Sequence, residues 1–344
     1  MRPLKLLTNS NSLHKVKLKR EIKPKKCIKL VIILLIAVIS AGFIYEKLSY
    51  SKDIASLKTK SKYATLNGNK IHYSTSGSGK YTVVFESDLG YTSYEWEKVI
   101  KNMPKNLEVS TFTYDRAGYG YSDKSDYKNP EAQARDLHLF FRKLGMEGPY
   151  ILVGDGYGSL VMSNFAKIYP NDVAGMILIN PINEKGMKSP SFVKEVSKGK
   201  TFKKVEQIGS YVGLTRVLDS FGLVQYPKGL LDKVSDNYAN DIKVHRISTN
   251  HTTAIWNETK VLINGDSDSQ DQGMLGNKPL AILINENGDV ENQKELANLS
   301  NEEITSIEGV KPESGVIPLE EYSKVHEALK FITKKSESKS AENN

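Results

Sequence analysis

Cysteine is almost absent from this 344-residue chain, since Cys27 is its only thiol. A single cysteine excludes an internal disulfide, so the folded part must be stable through its hydrophobic core alone. No cluster of His, Cys and carboxylate residues has the spacing of metal ligands. We therefore expect no metal and no cofactor.

A basic surface for nucleic acids is missing as well, although the net charge is +8. Residues 1–29 hold ten Lys or Arg and one acid, so the rest of the chain is close to neutral. The excess of positive charge thus belongs to one terminal segment, and it does not indicate a nucleic-acid partner.

A long apolar run follows this basic segment. Leu30–Tyr45 carries no charged residue and is slightly shorter than the ~20 residues of a typical spanning helix, but Ile28 and Lys29 extend it. The run predicts a single transmembrane anchor over residues 30–46, with residues 1–29 in the cytoplasm and the later chain outside. A cleaved signal peptide, with Ser40–Gly42 as its small-residue site, and a buried core helix are the alternatives.

Residues 47–61, rich in Lys and Ser, are expected to form a stalk. Residues 62–333 then alternate short apolar runs with amphipathic segments, which predicts a mostly parallel α/β sheet covered on both faces. A β-hairpin is predicted around Asn67–Asn69. The predicted strands that follow are Thr82–Ser87, Glu108–Tyr114, Tyr150–Val153, Val173–Asn180, Pro279–Asn285 and Glu303–Glu308, and the predicted helices are Tyr94–Met103, Pro130–Leu144, Leu160–Ile168 and Leu319–Ile332.

The alternation is interrupted at residues 184–276, which are polar, Lys-rich and weakly helical and are expected to form an inserted cap. Val261–Asp268 competes with Pro279–Asn285 as the next strand of the sheet. We favour the later run, with residues 251–263 as a cap helix that returns to the core. Residues 334–344 are expected to be a disordered tail.

The segment Val153–Ser159 resembles a nucleophile elbow. A buried strand enters a glycine-rich turn and continues as a helix, which is the setting of the G-x-Ser-x-G motif. Gly154 and Gly158 match the outer glycines, but Gly156 stands where the motif has its serine. The turn is therefore expected without a nucleophile.

Two further motifs strengthen this resemblance. Tyr114–Asp123 is similar to a Y-D-R-x-G-x-G-x-S-D loop, and Val83–Gly90 followed by Trp96 is similar to an oxyanion-loop region. Over residues 62–333 the chain is similar to the α/β-hydrolase fold superfamily, in particular its capped ester and lactone hydrolases. The resemblance implies acyl transfer by a Ser–His–acid triad with a backbone oxyanion hole.

The matching triad positions are degenerate. Gly156 replaces the nucleophile, and the loop expected to carry the histidine has Gly315 and no histidine in any register. Glu286 or Asp289 is the remnant of the acid. Ser159 is a weak candidate for a displaced nucleophile, because the elbow aims only its central residue at the substrate.

The expected pocket lies at the carboxyl ends of the strands and comprises Ser87, Asp88, Leu89, Asp155, Gly156, Tyr157 and Asn180. Asp155 is either a displaced acid or a helix N-terminal carboxylate. Asp88 and Asp155 would oppose a developing oxyanion, and they favour a cationic or polar ligand.

These features predict a membrane-anchored, extracytoplasmic and catalytically inactive protein that binds a small molecule, a lipid or a protein. The alternative is an active ester-type hydrolase with a rearranged site that uses Ser159 or Ser87 with a histidine of the cap.

Overall fold

The computed structural model describes residues 24–57, 62–124, 126–226 and 230–342. Contacts divide the described chain into two units between Ala41 and Gly42. Helix α1 (Pro24–Ser56) contains the predicted apolar run and is the candidate membrane span, long and apolar enough by length and composition to cross a bilayer. Residues 47–56, expected as a stalk, continue this helix, while the predicted cytoplasmic residues 1–23 lie outside the described residues.

The second unit is built on an eight-stranded sheet with the order β1-β2-β4-β3-β5-β6-β7-β8. The strands are β1 (Lys62–Leu66), β2 (Asn69–Gly77), β3 (Tyr81–Glu86), β4 (Val109–Tyr114), β5 (Tyr150–Asp155), β6 (Val173–Ile179), β7 (Leu280–Asn285) and β8 (Thr305–Val310). The pairs β1–β2 and β2–β4 are antiparallel, and the remaining pairs are parallel. The predicted hairpin and mostly parallel sheet are confirmed.

Helices cover both faces of the sheet, as predicted. They are α2 (Glu97–Lys101), α3 (Pro130–Leu144), α4 (Tyr157–Ile168), α5 (Glu184–Met187), α6 (Pro190–Ser197), α7 (Lys200–Ser210), α8 (Leu214–Ser220), α9 (Leu230–Lys233), α10 (Asp236–Arg246), α11 (Thr249–Asn264), α12 (Val290–Lys294), α13 (Ile317–Glu320) and α14 (Tyr322–Glu342), with 3₁₀ turns at Ser93–Trp96, Pro170–Asp172, Glu295–Leu299 and Glu302–Ile304. Alternate residues of β3 face opposite sides, because Val84 packs with α3 and α4 while Val83 packs with α14.

Helices α5–α11 form the cap between β6 and β7. The competing strand Val261–Asp268 is not formed, since α11 occupies residues up to Asn264 and ends at Gly265 in a left-handed conformation. The preference for the later strand and for a returning cap helix is confirmed.

The expectation that residues 334–344 form a disordered tail is corrected by the structure. Residues 334–342 belong to α14, which contains no Gly or Pro that would end it, and residues 343–344 lie outside the described residues. Ser336 is buried in this segment and its hydroxyl donates to the Ala174 carbonyl oxygen at 3.1 Å, so the helix packs along β6 beyond its predicted end.

Candidate functional site

The elbow keeps its backbone shape without a side chain. Strand β5 ends at Asp155 and α4 begins at Tyr157, so Gly156 makes the turn alone. Its φ of +47° lies in the region that L residues rarely adopt. A Cβ at Gly158 would lie 2.3 Å from the Glu86 carbonyl oxygen, so the first helical turn approaches β3 too closely for any side chain there.

The carboxylate of Asp88 fills the space that a nucleophile would occupy. A Cβ at Gly156 would lie 2.0 Å from Asp88 Oδ1. The same oxygen accepts the backbone N–H of Tyr157 at 2.7 Å and that of Leu89 at 2.6 Å. In this fold the oxyanion hole is formed by the N–H that follows the nucleophile and an N–H of the loop after β3. The Asp88 carboxylate therefore occupies the oxyanion hole and binds both of its N–H donors.

Two more carboxyl groups lie against Asp88. Glu95 accepts the Asp88 backbone N–H at 3.0 Å, and its pKa is raised to about 8 by burial and by the charge of Asp88. Burial, with Glu95 and Asp88 nearby, raises the pKa of Asp155 well above its usual range. Glu95 Oε1 and Asp155 Oδ1 are buried without a conventional partner, which a proton held between the two carboxyl groups would satisfy. The charged form of Asp155, which a helix N-terminal carboxylate would have, is therefore disfavoured.

Arg116 holds the loop around Asp88 in place. Its guanidinium pairs with Glu86 on β3 at 2.6 Å and with Glu258 on α11 at 2.8 Å. It also donates to the Ser87 carbonyl oxygen at 2.5 Å and to the Asp88 carbonyl oxygen at 3.1 Å. The residue that carries much of the motif resemblance therefore joins the sheet, the oxyanion loop and the cap.

The two serines proposed for a rearranged site have structural contacts. Ser159 Oγ donates to the Gly156 carbonyl oxygen at 2.6 Å and accepts the Ile182 backbone N–H at 3.1 Å. Ser87 Oγ accepts the indole N–H of Trp96 at 3.0 Å. Both hydroxyls are buried, and both hold backbone or core groups together.

The pocket residue Asn180 and the two possible acid positions also have local roles. Asn180 has a φ of +41° and accepts a hydrogen bond from the Gln293 amide at 3.3 Å. Glu286 pairs with Lys311 at 3.0 Å, while the Asp289 side chain caps α12.

Val316, and not Gly315 as expected from the sequence, is the residue of this loop whose side chain is directed into the protein, where the family has its histidine base. A Cβ at Gly315 would meet no atom within 4 Å, so this residue faces open space. Val316 is 3% exposed and packs with Leu230 and Leu319, beside Tyr91. Tyr91 and Leu230 line the cavity described below, so a side chain at 316 lies near it.

Among the described residues, no histidine completes a site with a serine. His72 bonds to Asp115 at 2.8 Å, His138 to Asp172 at 3.1 Å, His251 to the Gly90 carbonyl oxygen at 3.2 Å and His326 to the Val99 carbonyl oxygen at 2.7 Å. Burial lowers the pKa of His245 to about 4, and neither of its ring nitrogens has a partner among the described residues. His14 lies outside those residues.

A cavity of about 460 Å³ lies between the loop after β3 and the cap. This volume is typical of a small-molecule site. Its apolar wall comprises Leu89, Phe202, Leu230, Ile242 and Ile255, and ionisable side chains reach it from Glu95, Lys198, Lys203, Glu206 and Arg246. Of the seven predicted pocket residues, Leu89 alone is part of this lining.

The cationic side chains of the cavity are incompletely paired. Arg246 Nη2 donates to both carboxylate oxygens of Glu206 at 3.0 and 3.1 Å, while Nη1 is buried without a partner in the described part of the chain. Burial and the neighbouring Arg246 charge lower the pKa of Lys203. The sequence could not indicate these residues, because they lie on separate cap helices without a motif.

Comparison with known proteins agrees with this geometry. A family model described as the alpha/beta hydrolase fold matches residues 81–271. The chain is 31% identical to the uncharacterized protein YqjL of Bacillus subtilis over 122 residues, which are 35% of this chain and 47% of YqjL. It is 27% identical to human monoacylglycerol lipase ABHD6 over 124 residues, 35% of this chain and 36% of that protein. The chain thus spans less than half the length of these curated relatives.

A solved structure shows the same fold over a larger part of the chain. The Cif epoxide hydrolase from Acinetobacter nosocomialis has a TM-score of 0.62 at 16% identity, over 84% of this chain and 95% of that one. The family match covers more than half of the sequence, and it includes the elbow, the loop after β4 and the cap. This protein belongs to the α/β-hydrolase fold family.

Proposed function

We propose that this protein is a membrane-anchored, non-hydrolytic member of the family that binds an anionic amphiphile beneath its cap. The observation that carries the proposal is the position of the Asp88 carboxylate. It occupies the place of both the nucleophile and the substrate oxyanion, and it holds the two backbone amides that would stabilise that oxyanion.

The chemistry of acyl transfer supports the first part. The reaction needs a nucleophile, a base and donors aimed at developing negative charge. Gly156 supplies no nucleophile, Val316 supplies no base, and the donors are already bound to a carboxylate. Removal of one oxyanion donor alone costs other hydrolases about 10²–10³ in rate.

The basic segment before α1 supports the anchored topology. Lys and Arg residues that flank a span favour the cytoplasmic side. With α1 as the span, the hydrolase-fold unit lies outside the cytoplasm, as a single-pass protein of the cell membrane.

Charge in the cavity supports an anionic ligand instead of the cationic one expected from the sequence. Lys203 and Arg246 are close to each other, and Glu206 is the carboxyl group of the lining that pairs with them, because burial raises the pKa of the other one, Glu95, to about 8. A ligand anion would balance the second cation, and its apolar tail would pack on Phe202 and Ile255.

Hydrolysis of a panel of chromogenic acyl esters by the full chain in lipid nanodiscs tests the loss of catalysis. We expect no activity above a heat-denatured sample. Gly156→Ser alone should stay inactive because the new Cβ meets Asp88, whereas Gly156→Ser with Asp88→Gly and Val316→His should gain measurable hydrolysis. Activity in the unmodified protein that Ser159→Ala or Ser87→Ala removes would support a rearranged hydrolase instead.

A further inference from the structure

Exposed apolar side chains concentrate on one side of the cap. Outside α1, ten large hydrophobic residues are exposed among the described residues, and seven of them lie between residues 205 and 223. Six of these form what we call the outer cap face: Val205, Ile208, Tyr211, Leu214, Val217 and Phe221. Phe221 is 75% exposed. Soluble surfaces seldom gather apolar residues in this way without an interaction.

The outer cap face is joined to the carboxyl-terminal part of α1. A Cβ added at Gly42 would lie 2.4 Å from the Val212 carbonyl oxygen. Helix α1 and the turn between α7 and α8 are therefore in close contact. Gly213 faces Tyr45, and a Cβ there would lie 3.2 Å from the Tyr45 ring. Gly42 and Tyr45 belong to the last four residues of the uncharged run, so the turn lies at the level where that run ends.

Ion pairs fix this arrangement one turn further along α1. Arg216 on α8 donates to Glu46 at 3.0 and 3.1 Å and to Asp53 at 2.6 Å. Glu46 and Asp53 are seven residues apart and therefore lie on one face of α1. Glu46 is 6% exposed, which shows that α8 covers this side of the helix.

Positive charge predominates next to the outer cap face. From Lys188 to Arg216 the sequence has seven cations and two acids, and of the cations Arg216 is paired with α1 and Lys198 with Glu195. One of the two acids, Glu206, is buried against Arg246 and does not offset the surface charge. Anionic lipid headgroups attract such clusters by about 1 kcal/mol per Lys or Arg near the surface.

We propose that the outer cap face lies in the headgroup region of the bilayer that α1 crosses, on anionic lipids. The inference rests on the proposed membrane anchor, because α1 sets the level of the turn. Helix α7 carries Val205 and Ile208 toward this surface and Phe202 and Lys203 toward the cavity, so one helix separates lipid from the binding site. An amphiphile could then pass from the bilayer to the cavity without crossing water.

Site-specific fluorescence in nanodiscs tests the docking. The full chain carries Cys27→Ser and one new cysteine for an environment-sensitive dye, made by Phe221→Cys, Ile307→Cys or Ile36→Cys. Ile307 is 45% exposed on β8 and is the matched control, while Ile36 tests the anchor within the apolar run. Brominated lipids quench only a dye that reaches the bilayer.

We expect quenching of at least about twofold at positions 36 and 221 and none at position 307. Phosphatidylglycerol should increase it at position 221 over phosphatidylcholine alone. Val217→Asp, at a side chain 47% exposed, should reduce the quenching at 221 without a change in thermal unfolding.

Quenching at 36 without quenching at 221 would overturn the docking and leave the anchor intact. A dye at 221 that is shielded from water but not quenched by brominated lipid would assign the face to a protein or a second copy instead. Absence of quenching at 36 would contradict the proposed anchor, and the docking with it.

Discussion

Two neighbouring regions satisfy their polar groups in different ways: the elbow with the loop after β3, which we call the sheet wall, and the cap side of the cavity, which we call the cap wall. On the sheet side, the amides of Tyr157 and Leu89 are bound by Asp88, and Arg116 is saturated by two carboxylates and two carbonyl oxygens. On the cap side, Arg246 Nη1 and His251 Nδ1 are buried without partners in the described chain. The oxyanion donors and the central cation of the sheet wall are thus already bound within the protein, while the cap wall keeps nitrogen atoms that a ligand could bind.

The sheet wall should be far more sensitive to loss of its central cation than the protein surface is. Arg116→Met leaves Glu86 and Glu258 buried without a counter-ion, so we expect a loss of about 3–5 kcal/mol in the free energy of unfolding. Arg135→Met is the matched control, since its pair with Glu131 is more than half exposed and should cost less than about 1 kcal/mol. Urea unfolding in one detergent measures the free energy of unfolding of both variants. Equal losses of stability would contradict the idea that Arg116 stabilises the sheet wall through its two buried ion pairs.

The carboxyl cluster should give the sheet wall a distinctive pH dependence. Burial raises the Glu95 pKa from 4.5 to about 8, so the folded protein binds more protons than the unfolded chain between these values. Stability from this group is complete below pH 4.5 and is lost as the pH rises through 8, by about 5 kcal/mol for a shift of this size. Glu95→Gln should remove that slope.

Thermal unfolding from pH 4.5 to 8 at constant ionic strength compares the unmodified protein with Glu95→Gln. His245 acts in the opposite direction, because burial lowers its pKa to about 4 and its contribution grows as the pH rises to 6.5. His245→Gln in the same series separates the two effects. An unchanged slope in Glu95→Gln would show that Glu95 does not titrate in this range.

The cap wall should be sensitive in ligand affinity and not in stability. We expect the full chain in nanodiscs to bind dodecanoate more tightly than dodecanol or dodecylammonium, after subtraction of empty nanodiscs. Lys203→Met should weaken the affinity for dodecanoate about tenfold, or about 1.4 kcal/mol, and leave the affinity for dodecanol unchanged.

Lys204→Met is the control, because the Lys204 side chain lies next to Lys203 in sequence but over the Trp256 ring. Isothermal titration calorimetry measures each affinity. Tightest binding of dodecylammonium would reverse the proposed ligand charge, but it would not contradict the proposed loss of hydrolysis or the proposed docking of the cap.

The secondary structure was largely predictable because it depends on local patterns. Helix α3 begins where Asn129 precedes Pro130, and the Asn129 side chain accepts the Ala132 N–H at 3.0 Å as a cap. The failure at residues 334–342 has a tertiary cause. A polar Lys- and Ser-rich sequence predicts a disordered tail, but α14 extends along β6, where the Ser336 hydroxyl is bonded.

The sequence by itself determined the succession of strands and helices along the chain, the cap insertion, the apolar helix and the absence of a serine at Gly156, because each follows from residue type or from periodicity along the chain. Only the tertiary structure decided what fills the empty elbow. Asp88 and Tyr157 are 69 residues apart in sequence, and the closure of the oxyanion hole requires β3 and β5 to lie side by side. The two neighbouring cations of the cavity, Lys203 and Arg246, and the outer cap face likewise form only because separate helices pack together. No local sequence pattern predicts that packing.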